Sequence, residues 1–268
     1  MPTAAALRLE IEHALERRFP AALTPAPRII YEVAATGIEA IDKLLYGGLP
    51  VGAISELTGA ATSGRTSLAL RFVACLTAEA RPCAWVDVPD VLDPESAAAN
   101  GVQLTQLLWI RCRDEAGVRP AVDAEGRRRA RIFTSRISWT RLDQGLRATD
   151  LLLQAGGFSS VVLDLGDTAP EQASRIPLAT WFRYRQAAER TQCSLVVLGK
   201  RAYAQSAAAV VLECSAQHVG EAGGIVLRGF EFAVRRGIER SAPVEITTQK
   251  PPAATWQANA AWDKEARA

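Results

Sequence analysis

Histidine is scarce in this chain: only His13 and His218 occur among 268 residues. Metal or triad chemistry therefore has few candidates, and no metal site is expected. Cysteine occurs five times, an odd number (Cys75, Cys83, Cys112, Cys193, Cys214), and never as a CxxC pair. A disulfide framework or zinc ribbon is thereby disfavoured, and reduced, mostly buried thiols in a cytoplasm are expected. No apolar run approaches the ~18 residues of a membrane span. The N-terminal stretch carries Glu10, Glu12 and Glu16, carboxylates that a secretory h-region excludes and a transit peptide avoids. An excess of one charge is also missing. The formal net charge of +2 gives no ground for predicting nucleic-acid binding from charge alone. What remains is an ordinary globular composition, 49% apolar and 22% charged, at a length suited to one substantial core with appendages.

Leu7, Ile11, Ala14 and Leu15 fall at helical spacing, and Pro20, Pro25 and Pro27 end that pattern. Residues 1–30 therefore read as a helix and Pro-rich linker arm, whose apolar stripe needs a surface to cover it. Residues 31–248 alternate short β-rich runs with helical stretches. The predicted strands are Ala53–Leu57, Cys83–Val88, Leu107–Ile110, Ser160–Leu165 and Ser194–Leu198. The predicted helices are Arg65–Ala78, Glu95–Asn100, Ser138–Ala155 and Leu178–Arg190. Such alternation predicts an α/β fold with a mostly parallel twisted sheet flanked by helices. Ala208–Cys214, Gly224–Arg235 and Val244–Thr247 are expected as antiparallel strands added at the C-terminal edge. Residues 111–137, with Arg127, Arg128, Arg129 and Arg131, read as an Arg-rich insertion. Residues 249–268 start at Lys250-Pro251-Pro252, lack periodicity, and are expected to be disordered when free.

The strongest motif is Gly59-Ala60-Ala61-Thr62-Ser63-Gly64-Arg65-Thr66, between a strand and a helix as a P-loop requires. Gly59 and Gly64 let backbone N–H groups turn towards phosphate, and the helix terminus favours an anion. Thr66, followed by Ser67, offers hydroxyls where Mg²⁺ would be ligated. The lysine of the motif is replaced by Arg65, a longer planar fork. Asp164 closes an apolar strand, where a second carboxylate near Mg²⁺ belongs.

Thr36-Gly37-Ile38-Glu39-Ala40-Ile41-Asp42, Gly47-Gly48-Leu49-Pro50-Val51-Gly52, the P-loop, Ala84-Trp85-Val86-Asp87, Leu92-Asp93-Pro94 and Asp164 follow one another in the order of the RecA recombinase core. The chain resembles that family from about Ala5 to Thr247. Its short length, Gly-Arg-Thr loop and Leu107–Cys112 strand look like the ImuA branch, RecA-like accessory factors of bacterial mutasomes. Within the resemblance four nucleotide-facing positions depart together. Arg65 replaces lysine, Pro89 stands at the catalytic glutamate, Ser96 at the adenine-stacking aromatic, and Lys200 at the γ-phosphate-sensing glutamine. Loss of a positioned general base costs about 10²–10⁴-fold in rate. No catalytic residue is therefore expected; Gly59, Gly64, Arg65, Thr66, Ser67 and Asp164 would form a degenerate nucleotide site. No cofactor is required, and ATP with Mg²⁺ bound without turnover is compatible. Asp87 or Asp90 as a substitute base, with Lys200 supplying the displaced positive charge, is the compensating alternative.

The resemblance implies an accessory role in SOS-induced, error-prone translesion synthesis. The implied partners are an ImuB-like polymerase subunit, RecA and, indirectly, an error-prone C-family DNA polymerase. Contact is expected through Leu7, Ile11 and Leu15 of the arm and Trp256 and Trp262 of the tail. The family's second DNA loop, after the Ser194 strand, is nearly absent, so DNA binding is expected to be weak or indirect. Trp181 and Phe182 are expected in the core rather than as a stacking platform. No membrane role is implied; the protein would be cytoplasmic and join the nucleoid when recruited. Competing readings are a DNA-dependent ATPase of recombinase type and a damage-induced cell-division inhibitor.

Overall fold

The computed structural model describes residues 31–113, 140–166, 168–222, 226–239 and 253–259. Leu7, Ile11, Leu15, Trp262, the predicted strand at 244–247 and most of the Arg-rich insertion lie outside these residues. A two-stranded antiparallel pair, β1 (Val33–Ala34) and β2 (Leu49–Pro50), brackets α1 (Glu39–Leu44). The main sheet contains β3 (Ile54–Thr58), β4 (Cys83–Asp87), β5 (Leu107–Arg111), β6 (Ser160–Asp164), β7 (Ser194–Gly199), β8 (Ala208–Ala222), β9 (Val226–Glu239) and β10 (Ala253–Asn259). Its order is β10-β9-β8-β3-β7-β6-β4-β5.

From β8 to β5 all neighbours are parallel; β9 and β10 are antiparallel additions. This corrects the edge reading in one respect: β8 itself runs parallel to β3 and belongs to the main body. The other α-helices of the described residues are α2 (Arg65–Ala78), α3 (Pro94–Ala99), α4 (Arg141–Ala155), α5 (Pro170–Ala173) and α6 (Leu178–Thr191). Local chemistry sets their starts. Thr140 and Asp143 form a reciprocal capping box at α4, and the Asp93 carboxylate caps α3 ahead of Pro94, each satisfying orphan helix-terminal amides.

Both faces of the parallel strands are covered, which explains their near-continuous apolar runs. Successive residues point to opposite faces. Trp85, Val162, Val196 and Leu198 pack with α1, α2 and α3 on one side. Val86, Val161, Leu163 and Val197 pack with α4, α5 and α6 on the other. Trp181 and Tyr184 of α6 are buried there, edge to face at 5.9 Å, whereas Phe182 is 38% exposed. Trp181 therefore belongs to the core as expected, but Phe182 does not.

Two boundaries are corrected. Arg111 ends β5 instead of opening a loop, and its guanidinium holds Asp90 at 2.5 and 3.2 Å. Residues 253–259 of the expected disordered tail form β10, paired along β9 with Trp256 opposite Phe232. The physical reason is burial. Trp256 is 8% exposed and its ring lies 5.0 Å from Phe232, and so large an apolar surface favours a sheet edge over water.

Candidate nucleotide site

The loop after β3 has the shape its glycines predict. Gly64 is the left-handed N-cap of α2 (φ 87°), and a Cβ there would lie 2.6 Å from the Phe232 ring. Only glycine meets both demands. Thr62 also takes a positive φ of 62°, a strained choice for a β-branched residue. A cavity of about 260 Å³ opens above this turn, lined by Thr62, Ser63, Gly64, Arg65, Thr66, Ser67 and Phe232. That is below the roughly 300–1,000 Å³ usual for small-ligand pockets. Thr66 is exposed, Ser67 half-buried, and Ser63 buried. Asp164 is 4% exposed at the carboxyl end of β6, two strands from β3.

Arg65 is only 7% exposed. Its Nη1 donates to the Gly59 carbonyl and, at 3.5 Å, to the Gly199 carbonyl. The Gly59 amide donates back to the Gly199 carbonyl at 3.1 Å. A group expected to face phosphate is thus folded beneath the loop, bracing the start of the P-loop against the end of β7. The longer reach and directional fork of arginine make this possible; an ammonium would favour the wet cavity.

A second brace was not foreseen. Glu56, in the middle of β3, is 1% exposed. Its Oε1 accepts from the Tyr203 and Ala204 amides at 2.6 and 3.0 Å. Its Oε2 has no hydrogen-bond partner among the described residues. Burial raises the Glu56 pKa above its ordinary value, with the two amides partly opposing the shift. A carboxylate between Ile54 and Leu57 in a strand read as buried on both faces was the available signal, since unpaired carboxylates are almost never buried. Phe232 gave no such signal, because only the pairing of distant strands brings it to the loop.

Residues 7–117 match the RecA N-terminal domain. The RecA protein of Rickettsia canadensis is 25% identical over 211 residues, covering 73% of this chain and 54% of that protein. That of Crocosphaera subtropica is 40% identical over 86 residues, 32% of this chain and 25% of its own length. The chain has a RecA-like fold. It spans about half the length or less of these curated relatives. The RadB recombinase crystal structure shares the fold, with a TM-score of 0.55 and 15% identity over 84% of this chain and 96% of that one.

In the RecA-like core the altered positions have identifiable surroundings. Pro89 follows β4, its carbonyl accepts from Arg141 Nη1 at 3.1 Å, and its ring lies against Gly166. Ser96 is exposed; its Oγ donates to the capping Asp93 carboxylate at 2.5 Å. Lys200 is exposed directly after β7. The candidate substitute acids are engaged elsewhere. Asp87 is fully buried and accepts from the Val91 and Leu92 amides and from Trp109 Nε1, at 2.9–3.1 Å. Asp90 faces Arg111 and Arg113, and the Arg111 hydrogen bond holds its carboxyl below the usual range. The five thiols are free, and burial pushes Cys83, Cys193 and Cys214 up to about 12. Reactive thiolate chemistry does not fit such surroundings.

Proposed function

We propose that this protein is a RecA-fold accessory factor of the ImuA branch, acting in DNA repair as an adaptor for error-prone translesion synthesis. It binds protein partners and does not turn over ATP. The observation that carries this reading is the position of Arg65, whose guanidinium braces Gly59 and Gly199 from below. Positioning a transferred phosphoryl group depends on a cation aimed at it, and here that cation is engaged with backbone carbonyls. The occupied carboxylates of Asp87 and Asp90 support the same conclusion, since neither is placed to orient water in place of Pro89.

Partners on this reading are an ImuB-like polymerase subunit and RecA, with a C-family polymerase reached indirectly. Leu7, Ile11, Leu15 and Trp262 are the proposed contacts. Trp256 is withdrawn from that set, because it is buried against Phe232. Purified protein should release no phosphate from ATP over many turnovers, with or without single-stranded DNA, while co-purifying with an ImuB-like subunit. Steady hydrolysis abolished by Asp164→Asn would replace the adaptor reading with that of a DNA-dependent ATPase.

A further inference from the structure

The chain leaves adjacent strands β4 and β6 towards opposite faces of the sheet: α3 packs on one cluster, α5 and α6 on the other. Such a divergence leaves a crevice at the carboxyl ends of the strands, where α/β sheets place ligands. A groove of about 780 Å³ lies there, between the Val88–Pro89 turn, the start of α4 and the segment from Thr168 to Pro177. It is separate from the P-loop cavity and shares no lining residue with it.

Its chemistry is divided. Val88 and Ile176 are buried beneath it, and Leu142 and Leu146 of α4 are half-buried beside it, so the floor is aliphatic. Two cations, Arg141 and Arg175, belong to the lining. The one acid of the lining, Asp143, is committed to the Thr140 amide and hydroxyl at 3.1 and 2.7 Å. Arg175 is exposed and pairs with no acid among the described residues. Beside it, Arg201 donates to Ser174 Oγ at 2.6 Å and adds a further cation at this edge.

We propose that this groove docks a short acidic peptide segment of a partner protein, with an aliphatic or aromatic anchor on the floor and a carboxylate on Arg175. The assignment rests on the adaptor reading and gives it a surface. Guanidinium forks match carboxylates in bidentate geometry, and apolar anchors flanked by charge are how grooves recognise peptides. Single-stranded nucleic acid fits less well, because sites for it stack bases on aromatic rings and no lining residue is aromatic.

The test is a selection of displayed 12-residue peptides against the full chain, followed by fluorescence anisotropy of a selected peptide. The expected consensus places Asp or Glu beside a large apolar residue. Arg175→Glu and Gln172→Glu, both at exposed lining positions, should each weaken binding at least tenfold with an unchanged melting temperature. Higher salt should also weaken it. Three results overturn the proposal: no enrichment, a consensus without acids, or affinity indifferent to both substitutions. Arg175-dependent binding of oligo(dT) in place of the peptide would assign the groove to nucleic acid. Retained co-purification of the ImuB-like subunit with Arg175→Glu, alongside failure of the peptide experiment, would remove the groove while leaving the adaptor function standing.

Discussion

Arg65→Ala separates a brace from a phosphate ligand. The substitution removes the charged hydrogen bond to the Gly59 carbonyl and a weak one at 3.5 Å to Gly199. Hydrogen bonds to charged groups contribute about 1.5–3 kcal/mol, and the half-exposed Gly59 carbonyl can turn to water instead. Gly199 retains the Gly59 amide at 3.1 Å, so only the Gly59 carbonyl is at risk of losing its partner. The expected loss is about 1.5–3 kcal/mol. For a domain of this size, that corresponds to a fall in Tm of roughly 3–12 °C. Arg65→Lys should lose nearly as much, because a shorter, rotatable ammonium does not reproduce the fork. It should also gain affinity for ATP with Mg²⁺, as its charge is released into the cavity above Gly64. Thermal unfolding followed by circular dichroism, together with calorimetric titration of ATP, reads both effects. A Tm within about 1 °C of wild type in Arg65→Ala, accompanied by lost nucleotide affinity, would refute the brace and restore Arg65 as a phosphate ligand.

Three further outcomes are expected. Burial raises the Glu56 pKa in the folded chain, so its contribution to stability is present below its unfolded value of about 4.5 and is lost as pH rises through the folded value. Glu56→Gln should therefore flatten the decline in urea midpoint above pH 4.5, and an unchanged slope would show that this carboxyl does not couple to folding. Trp256→Ala should destabilise by about 3–5 kcal/mol, because the ring is buried against Phe232; a change within about 0.5 kcal/mol by urea unfolding would return residues 253–259 to a free tail. Pro89→Glu alone should leave ATP hydrolysis undetectable, since the new carboxylate meets a loop whose cation still faces Gly59 and Gly199. Measurable phosphate release by that single variant would show that the missing base was the only defect.

Much of the architecture was legible in local patterns. Strand–helix alternation marked β3 to β7 to within a residue, and Arg65–Ala78 emerged with the limits expected of it, whereas β8 was read too short and with the wrong direction. The phosphate loop was legible because its glycines and flanking elements are consecutive in the chain. The tail was misread because β10 has little pattern of its own; its stability comes from Phe232 across the strand pair. The direction of Arg65 was equally hidden. A P-loop octapeptide specifies where the backbone turns, but not that Gly199, 134 residues further on, offers a carbonyl within reach.

The amino-acid sequence by itself determined the fold class and the place of the glycine-rich loop between β3 and α2. These depend on residue identity and short-range periodicity. Only the tertiary structure decided what the remaining charges do. It turned Arg65 and Glu56 into braces, engaged Asp87 and Asp90 as anchors, and opened an arginine-edged groove beyond the carboxyl ends of β4 and β6. A side chain's role follows from the hydrogen-bond partners and burial it meets, and those partners come from strands far apart in the chain.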